Sequence, residues 1–141
     1  MSVTLHATCI AIGGRGVLFT GRPGSGKSDL AYRLIDRGAE LVSDDGTLVE
    51  SRDGRLIASA PATIAGRIEV RGLGILTLPF RASAPLALCV AVDQAMPRMP
   101  EEELPHRAID GLPLPLLAIA PFEASAPVKV EQALLLYGLT V

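Results

Sequence analysis

The chain has 141 residues, 49% of them hydrophobic and 20% charged, with a formal net charge of −2. That length fills one domain core, residues 1–141, without room for a second; the composition is globular, and the small net charge predicts no bulk attraction to nucleic acid or to an anionic membrane. No apolar run approaches the ~20 residues of a membrane helix, MSVTLHATCI lacks a cationic secretory start, and Cys9 and Cys89 are too few for a disulfide framework, so a cytoplasmic protein with reduced thiols is expected.

Residues 3–12 alternate as one strand, with Val3, Leu5, Ala7, Cys9 and Ala11 on one face. Gly13, Gly14 and Gly16 make a turn, and GVLFT (16–20) pairs back as a hairpin. GRPGSGKS (21–28) is a glycine-rich loop. Residues 27–37 form a one-sided helix with Leu30, Ala31, Leu34 and Ile35 inward, closed by Gly38. AELVSDD (39–45) is a strand running into two carboxylates. TLVES and RLIAS flank Asp53-Gly54, a hairpin signal. In RIEVRGLGILTLPF (67–80), Ile68 and Val70 alternate with charged residues, and Gly72 and Gly74 precede a second strand. APLALCVAVD (84–93) is an apolar strand, 96–105 a surface connection, and LPLLAIAPF (114–122) holds a strand bounded by prolines. The last segment is a helix, with Ser125 as N-cap, Pro127 in its first turn, and Val130, Ala133, Leu134 and Tyr137 at helical spacing. Strands dominate, with two helices. Phe122, Leu134 and Tyr137 read as core or interface, and the cysteines as packed.

Gly21-Arg22-Pro23-Gly24-Ser25-Gly26-Lys27-Ser28 fits G-x-x-x-x-G-K-[ST] between an apolar strand and an amphipathic helix. The glycines let successive N–H groups point at one anion, and the helix aims its positive end at the same place. Lys27 then reaches the β- and γ-phosphates, and the Ser28 hydroxyl ligates Mg²⁺. Eleven of the 13 basic residues are arginine, so a lysine at this one position stands out. The motif predicts nucleotide binding but names no reaction. Asp44 and Asp45 could hold the metal, orient water or accept a hydroxyl proton. Asp-Asp-Gly is equally ordinary turn chemistry, and both readings stay open on the residues alone.

GRPGSGKSDLAYRLIDRGAELVSDD (21–45) resembles the catalytic core of the HPr kinase/phosphorylase family, and IEVRGLGIL (68–76) resembles that family's Glu-x-Arg-Gly-Leu-Gly signature. His6 lies where the family has an active-site histidine. The resemblance spans about residues 3–80. It implies an α/β, β-rich P-loop kinase core akin to phosphoenolpyruvate carboxykinase, and an ATP-dependent protein-serine kinase acting on an HPr-like phosphocarrier, with a reverse phosphorolysis. It further implies that Gly21 to Ser28 bind ATP, that Ser28 and Glu69 ligate Mg²⁺, that Asp45 is the general base with Asp44 beside it, and that Arg71 stabilises transferring charge. The length looks like the short, C-terminal-domain-only form of alphaproteobacteria. For that form the resemblance implies a phosphotransferase system used in regulation, often beside a sensor histidine kinase, and it leaves a homo-oligomer open. No Pro-Gly-Arg-Asn segment like the family's downstream arginine loop is recognisable. A lone histidine in a strand is ordinarily structural, and Arg22 on its own reads as a solvated cation. Two rival functions remain at this level: a small-molecule P-loop kinase, and a nucleotide-sensing regulator with little turnover.

Overall fold

Residues 2–141 are described by a computed structural model. In chain order the elements are β1 (Ser2–Leu5), β2 (Ala7–Ile12), β3 (Arg15–Thr20), α1 (Lys27–Asp36), β4 (Glu40–Ser43), β5 (Thr47–Arg52), β6 (Arg55–Ser59), β7 (Arg67–Val70), β8 (Gly74–Thr77), β9 (Ser83–Ala91), β10 (His106–Ile109), β11 (Leu112–Ala118) and α2 (Ala126–Tyr137). The expected mixed α/β, strand-rich class with two helices is observed.

The apolar run predicted over 84–93 forms the hub. Strand β9 pairs antiparallel with β6 through Ser83–Pro85, then parallel with β3 through Leu86–Ala91 and parallel with β11 through Cys89–Ala91. The sheet order is β1-β5-β6-β9-β3-β2-β4, with the β10–β11 hairpin joined to β9. A bulge between Gly16 and Val17 of β3 leaves Ala87 as an extra residue on β9. It shifts the parity of the strand, so Ala84, Leu86 and Cys89 share one cluster while Ala87, Leu88 and Val90 share the other. Both faces of the central strands are therefore buried. One face packs under the helices, with Ile10, Val17, Phe19, Leu30, Leu34, Val90, Val130 and Leu134. On the other, β5, β6, β10 and β11 bring Val49, Leu56, Ala58, Ile109 and Leu114 against Ala7, Cys9 and Leu18.

Three hairpins turn through paired left-handed residues, as type I′ turns require: Gly13-Gly14, Asp53-Gly54 and Asp110-Gly111, all with positive φ. The third differs from the sequence expectation. Residues 106–118 form a hairpin, not a single strand beginning near 114, although Asp110-Gly111 carries the same signal as Asp53-Gly54. The Asp110 carboxylate accepts the Ser51 N–H at 2.9 Å and ties this hairpin to β5. A second correction concerns residues 3–12. The chain bends at His6, β1 pairs with β5, and β2 pairs with β3 and β4. Thr47 Oγ1 donates to the Ala7 carbonyl at 2.8 Å and fixes the fork.

Helix α1 buries Leu30, Ala31 and Leu34 as expected. It ends in a Schellman arrangement: the Gly38 N–H bonds the Ile35 carbonyl and the Ala39 N–H the Leu34 carbonyl, both at 3.0 Å, with Gly38 at φ +108°. Helix α2 buries Val130, Ala133 and Leu134, and the Ser125 side chain makes no capping bond. Strands β7 and β8 pair only with each other and dock through Ile68. Among the described residues no helix is long and apolar enough to cross a membrane.

Cys9 and Cys89 are fully buried and lie in one cross-strand row with Leu18 between them, too far apart for a disulfide. Burial pushes both thiols up. Ellman's reagent at pH 8 is expected to leave both thiols of the native protein unmodified and to titrate both after urea denaturation; rapid labelling of folded protein would contradict this packing.

Candidate active site

The sheet hands the chain to the glycine-rich loop at the end of β3. Gly21 has φ +156°, and a Cβ there would stand 2.6 Å from Ser25 Oγ and 2.9 Å from Val92 Cγ2, so no larger residue fits. The Ser25 N–H bonds the Arg22 carbonyl at 3.1 Å. The Arg22 N–H donates to Asp93 Oδ2 at 3.0 Å, just beyond β9. Gly26, at φ +108°, precedes α1, and no side chain caps that helix. Gly24, Gly26, Lys27, Ser28 and Asp29 line a cleft of about 600 Å³. Free first-turn N–H groups and the positive end of α1 at such a cleft favour an anion. The Ser25 hydroxyl is buried without a hydrogen-bond partner among the described residues.

Lys27 is 5% exposed. Its Nζ donates to the Gly21 carbonyl at 2.6 Å and reaches the His6 carbonyl at 3.5 Å. Asp45 Oδ1 lies 3.9 Å away. The amine is thus held by carbonyls beneath the loop, with a carboxylate at its open side. The bend that divides β1 from β2 accounts for the His6 contact, since it leaves that carbonyl outside the strands. The His6 side chain itself is exposed and does not line the cleft.

The two adjacent aspartates have different environments. Asp44 is buried: its Oδ1 accepts from Thr8 Oγ1 at 3.0 Å and from Ser28 Oγ at 2.5 Å, and its Oδ2 accepts from the Glu69 N–H at 3.0 Å. This is no solvated turn residue. Asp45 has φ +58° and a 69% exposed side chain on the cleft, while its N–H donates to Thr8 Oγ1 at 3.2 Å. The left-handed backbone turns the second carboxylate out as the first turns in.

The β7–β8 ribbon also lines the cleft, with Glu69, Val70, Arg71, Gly72 and Gly74. Glu69 and Arg71 thus line the same cleft as Lys27, Ser28 and Asp45. Pro23 lines the cleft, whereas the Arg22 side chain is 81% exposed and lies 3.4 Å from Asp93. Thr8, Asp93, Tyr32 and Phe122 were not anticipated as site residues. Tyr32 is four residues after Ser28 on the same helix face, a spacing the sequence does contain.

The oxygen donors at the cleft fit Mg²⁺. Among the described residues no three His, Cys, Asp or Glu side chains converge as a metal cage. Mg²⁺ commonly takes one or two carboxylates and completes its shell with water and substrate phosphates. Because Ser28 gives its proton to Asp44, the lone pairs of its hydroxyl are free for a cation, and Glu69, whose N–H bonds the same carboxylate, lines the same cleft.

Residues 1–81 match the family model described as the HPr Serine kinase C-terminal domain. The chain belongs to this family. HPr kinase/phosphorylases of Clostridium tetani and Clostridium beijerinckii are 45% and 46% identical over 53% and 51% of this chain, and 25% and 24% of their own lengths. The chain thus spans about a quarter of these curated relatives. The solved Hpr(Ser) kinase/phosphatase of Coxiella burnetii is 28% identical, with a TM-score of 0.79 over 92% of both chains. The family match contains the loop, both aspartates and the ribbon; Asp93 and Phe122 lie beyond it.

Thr8 is expected to be the most sensitive neutral residue of this HPr serine kinase C-terminal domain core. Its fully buried hydroxyl donates to Asp44 and accepts from Asp45. Thr8→Val should lower stability by about 1–3 kcal/mol in urea unfolding, with Thr8→Ser close to wild type; an unchanged midpoint in the valine variant would show that Asp44 does not depend on this bond.

Proposed function

We propose that this chain transfers the γ-phosphoryl group of Mg-ATP to a serine hydroxyl of an HPr-like phosphocarrier, in regulation through a phosphotransferase system. One observation carries the reading: an uncapped helix N-terminus with a buried lysine meets an exposed carboxylate 3.9 Å from the amine, on a chain of the HPr serine kinase C-terminal domain family. Anion site, cation and proton acceptor converge on one cleft.

In this reading residues 21–28 are a P-loop whose N–H groups bind the phosphates, in a core we take to be akin to that of phosphoenolpyruvate carboxykinase. Lys27 contacts the β/γ-phosphates. Asp44, by holding Ser28, orients the hydroxyl toward the metal position. Ser28 and Glu69 would hold Mg²⁺, which would neutralise charge on the phosphate oxygens. Asp45 takes the proton from the substrate serine as its oxygen bonds the γ-phosphorus and the bond to the β-phosphate oxygen breaks, releasing ADP. Arg71 stabilises charge on the transferring group. For phosphorolysis, inorganic phosphate attacks the phosphoserine phosphorus and the protonated carboxyl returns its proton to the leaving serine oxygen. His6 is assigned a supporting role through its carbonyl.

The test is to incubate the protein with Mg-ATP and an HPr homologue of the same cell, and to look for phosphoserine by mass spectrometry. Transfer is expected. ATP binding without transfer would replace the kinase with a nucleotide-sensing regulator. Asp45→Asn should bind ATP near wild-type affinity and lose transfer by about 10²–10⁴-fold. Lys27→Ala should lose both binding and transfer.

A further inference from the structure

The chain has five aromatic residues, three Phe and two Tyr, and no Trp. Two of these five, Tyr32 and Phe122, line the cleft. Phe122 is 70% exposed, and a single exposed apolar side chain is ordinary by itself. This one is anchored. Its ring edge packs against the loop backbone: a Cβ on Gly26 would come 2.9 Å from Phe122 Cζ and 3.1 Å from Pro121 Cγ. On one side of it Arg33 Nη2 donates to the Pro121 carbonyl, and on the other Arg33 Nη1 donates to the Glu123 carbonyl at 3.3 Å. Arg33 is itself paired with Asp29 at 3.0 Å, in the first turn of α1. The Ala126 N–H bonds the Glu123 carbonyl at 3.0 Å, and the Glu123 carboxylate pairs with Lys129 at 2.8 Å. The helix that begins at the phosphate loop thus grips both peptide neighbours of an aromatic ring that reaches the mouth of the same cleft.

We propose that Phe122 is the platform on which the purine ring of the bound nucleotide stacks. The inference rests on the reading of residues 21–28 as an ATP site and extends it to a part of the chain outside the family match. A nucleoside triphosphate whose phosphates lie at the α1 terminus carries its base beyond the loop, at the far end of the α-phosphate and the ribose. There a base needs a flat apolar face, and the anchored ring supplies one without further ordering cost. Gly26 has a second function in this arrangement, because any side chain at that position would push the platform off the loop. Stacking reads no base edge, so the platform would favour purine nucleotides as a class over bare polyphosphate, with little choice between adenine and guanine.

The test compares ATP, GTP and inorganic tripolyphosphate by isothermal titration calorimetry in Mg²⁺, on wild type, Phe122→Ala, Phe122→Trp and Lys27→Ala. Phe122→Ala is expected to weaken ATP and GTP by roughly 5- to 100-fold and to leave tripolyphosphate within twofold. Phe122→Trp should keep nucleotide affinity, and Lys27→Ala should weaken all three. Equal ATP affinity in wild type and Phe122→Ala overturns the platform, as does tripolyphosphate binding wild type as tightly as ATP. Binding of neither ATP nor tripolyphosphate by wild type would overturn the ATP-site reading and the platform together, a result distinct from loss of the base contribution alone. Circular dichroism of Phe122→Ala separates lost stacking from lost fold, and a folded spectrum is expected because the ring is mostly exposed.

Discussion

A carboxylate removed from water must be hydrogen-bonded or it destabilises the fold by several kcal/mol. Asp44 meets that demand with donors from three separate segments: Thr8 of β2, Ser28 of α1 and the backbone of Glu69 in β7. Each donor belongs to an element that also carries part of the cleft. A two-stranded ribbon is marginal alone in water, and β7–β8 pairs only with itself. The Glu69 N–H bond and the buried Ile68 hold it, and so hold the carboxylate of Glu69 and the guanidinium of Arg71 at the cleft wall. The demand of one buried charge thereby sets the spacing of the whole site.

What could be read from the sequence follows from how local each signal is. The loop, helix α1 and its Gly38 closure depend on neighbours within a few residues, and they stand as expected. The hub strand β9 was visible as an apolar run, but its bulge at Ala87 was not, because parity depends on the partner strand. The division of labour between Asp44 and Asp45 was hidden for the same reason. Two adjacent acids at a strand end look alike until the backbone at Asp45 turns left-handed and sends one side chain in and the other out. The break at His6 depends on β2 and β1 finding different partners. The β10–β11 hairpin is different: Asp110-Gly111 was present and informative, and the prolines of β11 masked it. Proline is tolerated there because the strand pairs with β9 only beyond Pro115, through Leu116–Ala118.

Twelve of the 14 glycines lie at or before Gly74 and nine of the 11 prolines at or after Pro79, and these two halves have a physical relation. The first makes the close backbone approaches of the loop, and the second supplies stiff segments that end against it. Arg33, through the Pro121 and Glu123 carbonyls, and the Arg37–Glu131 pair join them, and the Glu123–Lys129 pair braces the second half locally. The second lysine, unexplained by any motif, thus helps to fix the segment that carries Phe122. The exposed Glu123–Lys129 pair is weak by itself, but it acts on a backbone already pinned by Arg33 and by the first turn of α2.

Topology explains why so much converges. Strand β2 is antiparallel to both β3 and β4, so those two run parallel to each other, and α1 crosses over β2 between them. Strand β9 runs parallel to β3, and β11 parallel to β9. Four strands therefore end at one edge of the sheet. There β3 releases the loop at Gly21, β4 delivers Asp44 and Asp45, β9 runs on to Asp93, and β11 leads to Pro121 and Phe122. The antiparallel β2 starts at that edge, which is why Thr8 and the His6 carbonyl are within reach. Carboxyl ends of parallel strands are the usual ligand side of an α/β sheet because helix N-termini begin there. This sheet keeps that rule with an antiparallel strand inserted, and the insertion adds the one hydroxyl, Thr8, that touches both aspartates.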